Sequence, residues 1–194
     1  MPVPQPDRIH PFATPTDLGR WLSRHHATEP ELWIRIFKKA SGTASVDAEQ
    51  AIVEALCWGW IDGVRHGLDA QSFLQRYTRR RKTSRWSQKN CDTAERLIAE
   101  GRMQPAGLAE VQAARADGRW DAAYDGSANF ALPPEFLAAL ATASEPAQAH
   151  FAGLNRQNLF AIYFRLVTVK RPETRTRKVA EFVAMMERGE RFHG

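Results

Sequence analysis

The chain has 194 residues, of which 43% are hydrophobic and 25% charged, and its formal net charge is +5. This composition is typical of a soluble globular domain, and a chain of this length buries roughly 70% of its unfolded surface without needing disulfide bonds. Because it has no run of about 20 apolar residues and begins without the basic and apolar regions of a secretory signal, we expect a cytoplasmic protein that does not insert into membranes.

The first half of the chain carries the signals of a small sheet with helices. Thr14 before a proline favours a helix start, because threonine caps backbone N–H groups and proline has no N–H to lose there. This helix is expected to reach about His26. Glu31–Phe37 is short and rich in aromatic and β-branched residues, which predicts a strand. Asp47 followed by Gln50 resembles a capping box and predicts a second helix.

Two further strands are predicted after that helix. Trp58-Gly59 ends the helix, and the apolar run that follows predicts a buried strand over residues 60–66. Residues 72–79 are predicted to form another strand, with a turn at Gly67–Ala70 between the two. Together with residues 31–38, these segments predict a small, mostly antiparallel sheet, and the fold class is α+β.

From Trp86 onward the apolar spacing is helical. Gly101 and Gly118 end two predicted helices, and residues 121–131 are expected to form a loop. Residues 159–167 are apolar nearly all round, so this helix should be central and buried. Seven apolar side chains are predicted to lie in the core: Trp60, Ile61, Leu97, Phe151, Phe160, Leu166 and Phe182.

The two halves of the chain differ in composition. All six tryptophans lie within the first 120 residues. We therefore expect a Trp-rich α+β subdomain over residues 1–129, which contains a basic hairpin, and a helical subdomain over residues 130–194. No Pro-, Gly- or Ser-rich linker separates them, so we expect them to pack as one globular unit.

The positive charge is concentrated in one segment between Asp69 and Asp92, where no acidic residue occurs. Removing its seven cations from the 27 basic residues leaves 20 against 22 acidic residues, so the rest of the chain is close to neutral. Such a block favours phosphates, nucleic acid or acidic proteins as partners, although it is also typical of a solvated turn. The seven cations are Arg76, Arg79, Arg80, Arg81, Lys82, Arg85 and Lys89.

Aromatic and polar side chains alternate with these cations, as in an anion site. Arginine binds phosphate or carboxylate in bidentate fashion, and a tryptophan ring stacks on a base or a guanidinium. Ser84 is predicted to cap the following helix, whose N-terminal N–H groups would add partial positive charge. Alternatively, Trp86 anchors that helix to the sheet while the arginines stay in solvent. The candidate ligand-binding residues are Arg79, Arg85, Trp86, Lys89 and Asn90.

Asp62 is the one candidate catalytic residue. It lies in a strand that is predicted to be interior, where a lone carboxylate is costly and needs a partner. The basic hairpin that ends in Arg79-Arg80-Arg81, or Arg85 after it, could supply that partner. The carboxyl group then either faces a cleft as a general acid or base, or closes the sheet through a structural ion pair.

Other chemical signatures are absent from the sequence. There is no Walker phosphate loop, no G-x-G-x-x-G, no G-x-S-x-G and no H-E-x-x-H. The histidines and cysteines have no metal-ligand spacing, and Cys57 and Cys91 are expected to be free thiols. The sequence therefore predicts neither a metal nor a cofactor.

Six segments form an ordered pattern along the chain: Trp33–Lys39, Gly59–Gly63, Ser84–Asn90, Gly101–Gly107, Gly118–Trp120 with Tyr124, and Lys170–Arg175. Over about residues 10–188, this pattern resembles the YdeI/OmpD-associated family of bacterial proteins. The resemblance implies an association with an outer-membrane porin and protection against bacteriocins or cationic antimicrobial peptides. It implies no catalytic residue and no cofactor.

These observations favour a non-enzymatic, cytoplasmic protein of bacterial stress or envelope defence that binds an anionic small molecule or an acidic protein through the basic site. One alternative is an enzyme for a small phosphorylated or acidic substrate, with Asp62 as general acid or base and Arg79 and Arg85 as clamps. A second is a nucleic-acid-binding module, which needs a broad, flat basic face. The pattern specifies no oligomeric state.

Overall fold

A four-stranded sheet and eight α-helices are present in the part of the chain that the computed structural model describes, residue 4 and residues 8–194. The α+β fold class is thereby confirmed. The strands are β1 (Ile9–Pro11), β2 (Glu31–Phe37), β3 (Trp60–Gly67) and β4 (Ser72–Arg79). The helices are α1 (Pro15–His25), α2 (Ala48–Cys57), α3 (Gln88–Ala99), α4 (Pro105–Ala116), α5 (Pro134–Ala141), α6 (Glu145–Ala152), α7 (Arg156–Val167) and α8 (Pro172–Glu187).

The strand order in the sheet is β1-β2-β4-β3. β4 pairs antiparallel with both β2 and β3, and these three strands lie where the sequence predicts them. The short strand β1 was not predicted, and it pairs in parallel with β2 so that Ile9 lies opposite Trp33. At the other end of the sheet, Trp60 of β3 lies opposite Arg79 of β4.

The expectation that Asp62 lies in an interior strand is wrong. β3 is the edge strand of the sheet, and its register shifts between Asp62 and Arg65. Asp62 is exposed, and Ile61 is half-buried rather than part of the core. Even at this edge position, desolvation raises the pKa of the Asp62 carboxyl group, and the nearby cations Arg80 and Arg65 only partly oppose this effect.

Local capping signals place most helix starts correctly. Thr14 caps α1 by accepting a hydrogen bond from the Asp17 N–H at 3.2 Å, and Asp47 with Gln50 forms the predicted capping box of α2. The cap of α3 is Ser87, which accepts a hydrogen bond from the Asn90 N–H at 3.2 Å. The prediction that Ser84 caps this helix is therefore wrong by one turn.

Helix α2 lies between two apolar clusters of the first half. Its residues Ala51 and Ala55 pack with α1 and the inner face of the sheet. Its last turn packs with α3, α4 and Trp86 in a second cluster, which also buries both cysteines. A methyl group on Gly107 of α4 would lie 2.7 Å from the Leu56 carbonyl oxygen, so only glycine allows α4 to approach α2 this closely.

The chain divides into two compact units, one ending at Ala123 and one covering Tyr124–Gly194. The second unit contains α5 to α8, whose core includes Phe136, Leu166 and Phe182. Phe160 was predicted to be a core residue, but it is half-buried, as is Phe151. No residue of the predicted segment 159–167 is exposed, so α7 is a buried helix as expected, although the side chain of Phe160 is only half-buried.

Candidate functional site

The basic loop, residues 80–87, follows β4 and is held by hydrogen bonds of its own backbone. The Arg80 N–H donates to the Gly59 carbonyl oxygen at 2.9 Å, which continues the pairing of β4 with the start of β3. Arg81 and Ser84 then form a turn, in which the Ser84 N–H donates to the Arg81 carbonyl oxygen at 2.8 Å. The Arg81 N–H donates to the Ser84 Oγ at 2.9 Å. These hydrogen bonds fix the backbone conformation of the loop.

One arginine of the loop is directed inward. Arg80 is 6% exposed, and its Cζ lies 3.5 Å from the ring centroid of Trp86. Its Nη1 donates to the Arg85 carbonyl oxygen at 3.1 Å. Trp86 is itself buried and contacts Trp120, with ring centroids 4.9 Å apart. Trp86 thus anchors the helix start, and protein atoms occupy the ring surface that was predicted to stack on a ligand.

A second arginine, Arg119, also binds the basic loop, although it lies outside the loop in the sequence. Arg119 Nη1 donates to the Ser84 carbonyl oxygen at 3.1 Å, and its Nε lies 2.8 Å from the Asp117 carboxylate. Together, Arg80 and Arg119 bind the loop's carbonyl groups. This arrangement preorganises the loop, so its remaining cations are carried on a fixed backbone.

The other predicted ligand-binding residues lie on different parts of this segment. Arg79, Arg85 and Lys89 are exposed, and Asn90 is half-buried. Lys89 pairs with Glu49 at 3.0 Å. The cations that act on the Asp62 carboxyl group are Arg80 and Arg65. Of the five candidates, Arg79 is the one that lines the cleft described next, together with other charged groups.

The cleft has a volume of about 580 Å³ and is open to solvent. Four segments form it: the end of α1 with the turn that follows, the α2–β3 turn, the β4 end with the basic loop, and the first half of α4. Its principal lining residues are His26, Trp58, Gly59, Arg79, Arg80, Arg81 and Glu110. Asp62, Arg85, Trp86, Lys89 and Asn90 are not among the lining residues.

One wall of the cleft is aromatic. The rings of His26 and Trp58 are in contact, with centroids 4.6 Å apart. His26 Nδ1 lies 3.0 Å from the Leu22 carbonyl oxygen, which can only accept, so Nδ1 carries the proton in the neutral ring. Gly59 has a φ of +75°, and a methyl group there would lie 2.9 Å from the Ala106 carbonyl oxygen. Glycine at this position therefore lets α4 approach the α2–β3 turn, and Ala106 and Glu110 of α4 line the same cleft.

The charges in the cleft are not paired with one another. Arg79 Nη1 donates to the Ala27 carbonyl oxygen at 3.0 Å. Within the described residues, the guanidinium groups of Arg79 and Arg81 have no carboxylate partner, and the Glu110 carboxylate has no cation or hydrogen-bond donor. The cleft therefore combines two available cations with one available anion.

Two further properties of the described residues concern membranes and metals. None of the helices there is both long and apolar enough to span a bilayer. No cluster of three or more His, Cys, Asp or Glu side chains in the same residues has the arrangement of a metal site.

Sequence reasoning missed His26, Trp58, Arg81 and Glu110 as lining residues of one cleft. They come from four segments that are far apart in the chain, so no local spacing connects them. The glycines at positions 59 and 107 were the available signal, because each allows a close approach between α4 and the end of α2.

Two family models match the chain. Residues 10–110 match a domain of unknown function, DUF8412. Residues 129–189 match the family described as bacteriocin-protection, YdeI or OmpD-associated, which confirms the resemblance seen in the sequence over a shorter range than residues 10–188. Of the six segments of that pattern, only Lys170–Arg175 lies in this range, whereas every lining residue of the cleft lies within residues 10–110. Searches of the curated proteins and of the solved structures gave no match.

Proposed function

Because the chain belongs to the DUF8412 family over residues 10–110 and carries a YdeI/OmpD-associated domain over residues 129–189, we propose that it acts in bacterial stress or envelope defence by binding an anionic ligand. In this proposal it works in the cytoplasm without catalysing a reaction. The ligand binds in the cleft of the first unit, and the YdeI/OmpD-associated segment connects binding to the defence response.

The observation that carries the proposal is the pair of arginines in the cleft. Arg79 and Arg81 line a concave site, and neither guanidinium is paired with a carboxylate in the described residues. A preorganised backbone holds them, which reduces the entropy that a ligand loses on binding. Arginine forks at such a site suit phosphate or carboxylate groups. Arg85 and Lys82, both exposed on the same loop, add to the local positive potential.

The two other functions considered from the sequence have less support. An enzyme that uses Asp62 with Arg79 and Arg85 would need all three side chains in one cleft, but neither Asp62 nor Arg85 lines the cleft. A nucleic-acid-binding module would be favoured by a broad basic face, whereas the arginines of the cleft lie in a concavity that also contains Glu110. A small anionic ligand fits this geometry better than a polyanion.

Binding of inorganic pyrophosphate, measured by titration calorimetry at low salt, tests the proposal. Arg79→Gln with Arg81→Gln should weaken binding by at least about tenfold, because two charge-assisted contacts are lost. The matched control is Arg171→Gln with Arg177→Gln, which removes the same charge from exposed positions of the second unit and should bind as the wild type does. Equal binding by both double variants would contradict the proposal.

A second pair of variants tests whether the anion binds in the cleft or at the other cations that were predicted from the sequence. Arg85→Gln with Lys89→Gln removes two cations that do not line the cleft. Binding that survives this change and is lost with the Arg79 and Arg81 variant supports the cleft. In bacteria that lack the gene, survival under a cationic antimicrobial peptide or a bacteriocin should be restored by the wild type and by the control, but not by the cleft variant.

A further inference from the structure

The opposite charges in the cleft are close enough to share one cavity but do not pair. Elsewhere in the first unit, arginine and glutamate side chains that approach one another form ion pairs, as Arg76 and Glu31 do at 2.6 Å and Arg102 and Glu54 do at 2.8 Å. In the cleft, Arg79 and Arg81 lie on the β4 side, and Glu110 lies on α4. Within the described residues, none of the three has an ion-pair partner.

This separation constrains the chemistry of the ligand. A ligand that is anionic throughout would be attracted by the two guanidinium groups but repelled by the Glu110 carboxylate. A ligand with an anionic group at one end and N–H donors at the other satisfies both sides of the cleft. Such a ligand is bipolar.

The aromatic wall indicates what lies between the two ends. The rings of His26 and Trp58 are in contact at 4.6 Å and line the cleft between the α1 and α2 ends. Flat aromatic groups such as nucleobases stack on such surfaces. A volume of about 580 Å³ lies within the usual range of small-molecule sites, roughly 300–1,000 Å³.

We propose that the cleft binds a nucleoside phosphate, with its phosphate on Arg79 and Arg81, its base along the His26–Trp58 wall, and the N–H donors of the base on Glu110. Guanine matches this arrangement best, because its ring N–H and its exocyclic amine point the same way and can donate two parallel hydrogen bonds to one carboxylate. Adenine presents an acceptor nitrogen beside its amine, and uracil presents a single donor. This inference rests on the proposed anion site.

The test measures binding of GMP, AMP, UMP, inorganic phosphate and O-phosphoethanolamine by titration calorimetry. GMP should bind at least about tenfold tighter than inorganic phosphate and tighter than AMP or UMP, since one good bidentate pair has about this effect. O-phosphoethanolamine has both charges but no ring, so it should bind more weakly than GMP. If it binds as tightly as GMP, the nucleoside assignment is wrong.

A variant of Glu110 tests whether this carboxylate contacts the base. Glu110→Gln keeps the size of the side chain and should remove the preference for GMP while leaving phosphate binding the same or tighter. Glu181→Gln, an exposed carboxylate on α8, is the control and should bind GMP as the wild type does. Thermal unfolding of each variant confirms that it is folded.

The outcomes distinguish the two proposals. Phosphate binding without a preference for GMP, or a preference that persists in Glu110→Gln, overturns the nucleoside inference and leaves the anion site in place. If neither phosphate nor any nucleotide binds, both the nucleoside inference and the proposed function are wrong.

Discussion

The guanidinium carbon of Arg80 lies 3.5 Å from the ring centroid of Trp86, and both side chains are buried. The sequence contains three consecutive arginines, Arg79 to Arg81, and only the middle one is directed into the protein. Its neighbours are exposed and line the cleft. If the cleft is the proposed anion site, the structural role in this segment belongs to Arg80 and the ligand-binding role to its two neighbours.

Replacement of Arg80 tests this division. Arg80→Ala removes a desolvated cation–π contact, which is worth about 2 kcal/mol, and the packing of the arginine stem on Trp86. We expect a loss of about 2–4 kcal/mol in the free energy of unfolding, measured with urea. Arg79→Ala, at an exposed position, should cost less than about 1 kcal/mol. Equal effects at the two positions would contradict the division of roles.

The contact between α2 and α4 should not tolerate a side chain at position 107. The methyl group of Gly107→Ala would lie 2.7 Å from the Leu56 carbonyl oxygen and closer still to that of Cys57. These are backbone atoms, so a helix must move, at a cost of about 1–3 kcal/mol or more. Gly67→Ala is the control, since nothing lies within 4 Å of its added methyl group. A Gly107→Ala protein with wild-type stability would show that the helices are not in contact here.

Glu54 should make stability depend on pH. Its side chain is 16% exposed, and burial raises its pKa, an effect that Arg102 only partly offsets. The carboxyl group therefore holds its proton more tightly in the folded than in the unfolded protein. This tighter binding stabilises the folded protein fully below the unfolded pKa of about 4.3, and the stabilisation is lost as pH rises through the folded pKa.

Urea unfolding of the wild type and Glu54→Gln between about pH 4 and pH 7 measures this effect. The difference in the free energy of unfolding should shift in favour of the variant as pH rises. Glu181→Gln, at an exposed position, should give a much flatter difference. A shift in the opposite direction would mean that the ion pair with Arg102 outweighs burial.

The two phenylalanines Phe182 and Phe160 should differ in their effect on stability. Phe182 is 2% exposed, and truncation to alanine should cost about 3–5 kcal/mol. Phe160 is half-buried in an aromatic group with Phe130, Tyr163 and Phe164, so Phe160→Ala should cost less, about 1–2 kcal/mol. Thermal or urea unfolding of the two variants gives the comparison, and a larger loss at Phe160 would contradict it.

Features that depend on neighbouring residues were predicted well. The strand over Glu31–Phe37 and the caps at Thr14 and Asp47 follow from composition and from spacings of three residues. Strand β1 was missed because it has three residues, including a proline, and it depends on pairing with Trp33 and its neighbours.

The orientation of the arginines could not be predicted for a related reason. Consecutive residues of the same type carry no pattern that says which one is buried. The answer depends on where β4 stops pairing with β3, because Arg79 is still opposite Trp60 and Arg80 is the first residue beyond the strand. The cleft likewise depends on four distant segments that meet only in the folded unit.

The burial of Cys57 and Cys91 has a practical consequence. Burial raises the pKa of both thiols to about 11, so almost no reactive thiolate is present at neutral pH. An alkylating reagent can therefore reach these thiols only when the helices around them open. The rate of labelling then measures how often the helices open. The Cys57 carbonyl oxygen accepts a hydrogen bond from the Gln104 N–H at 3.0 Å, which joins the end of α2 to the start of α4, the two elements that form walls of the cleft. A ligand bound in the cleft should therefore slow the labelling of Cys57. The labelling rate then measures the fraction of protein with ligand bound, and no dye has to be attached.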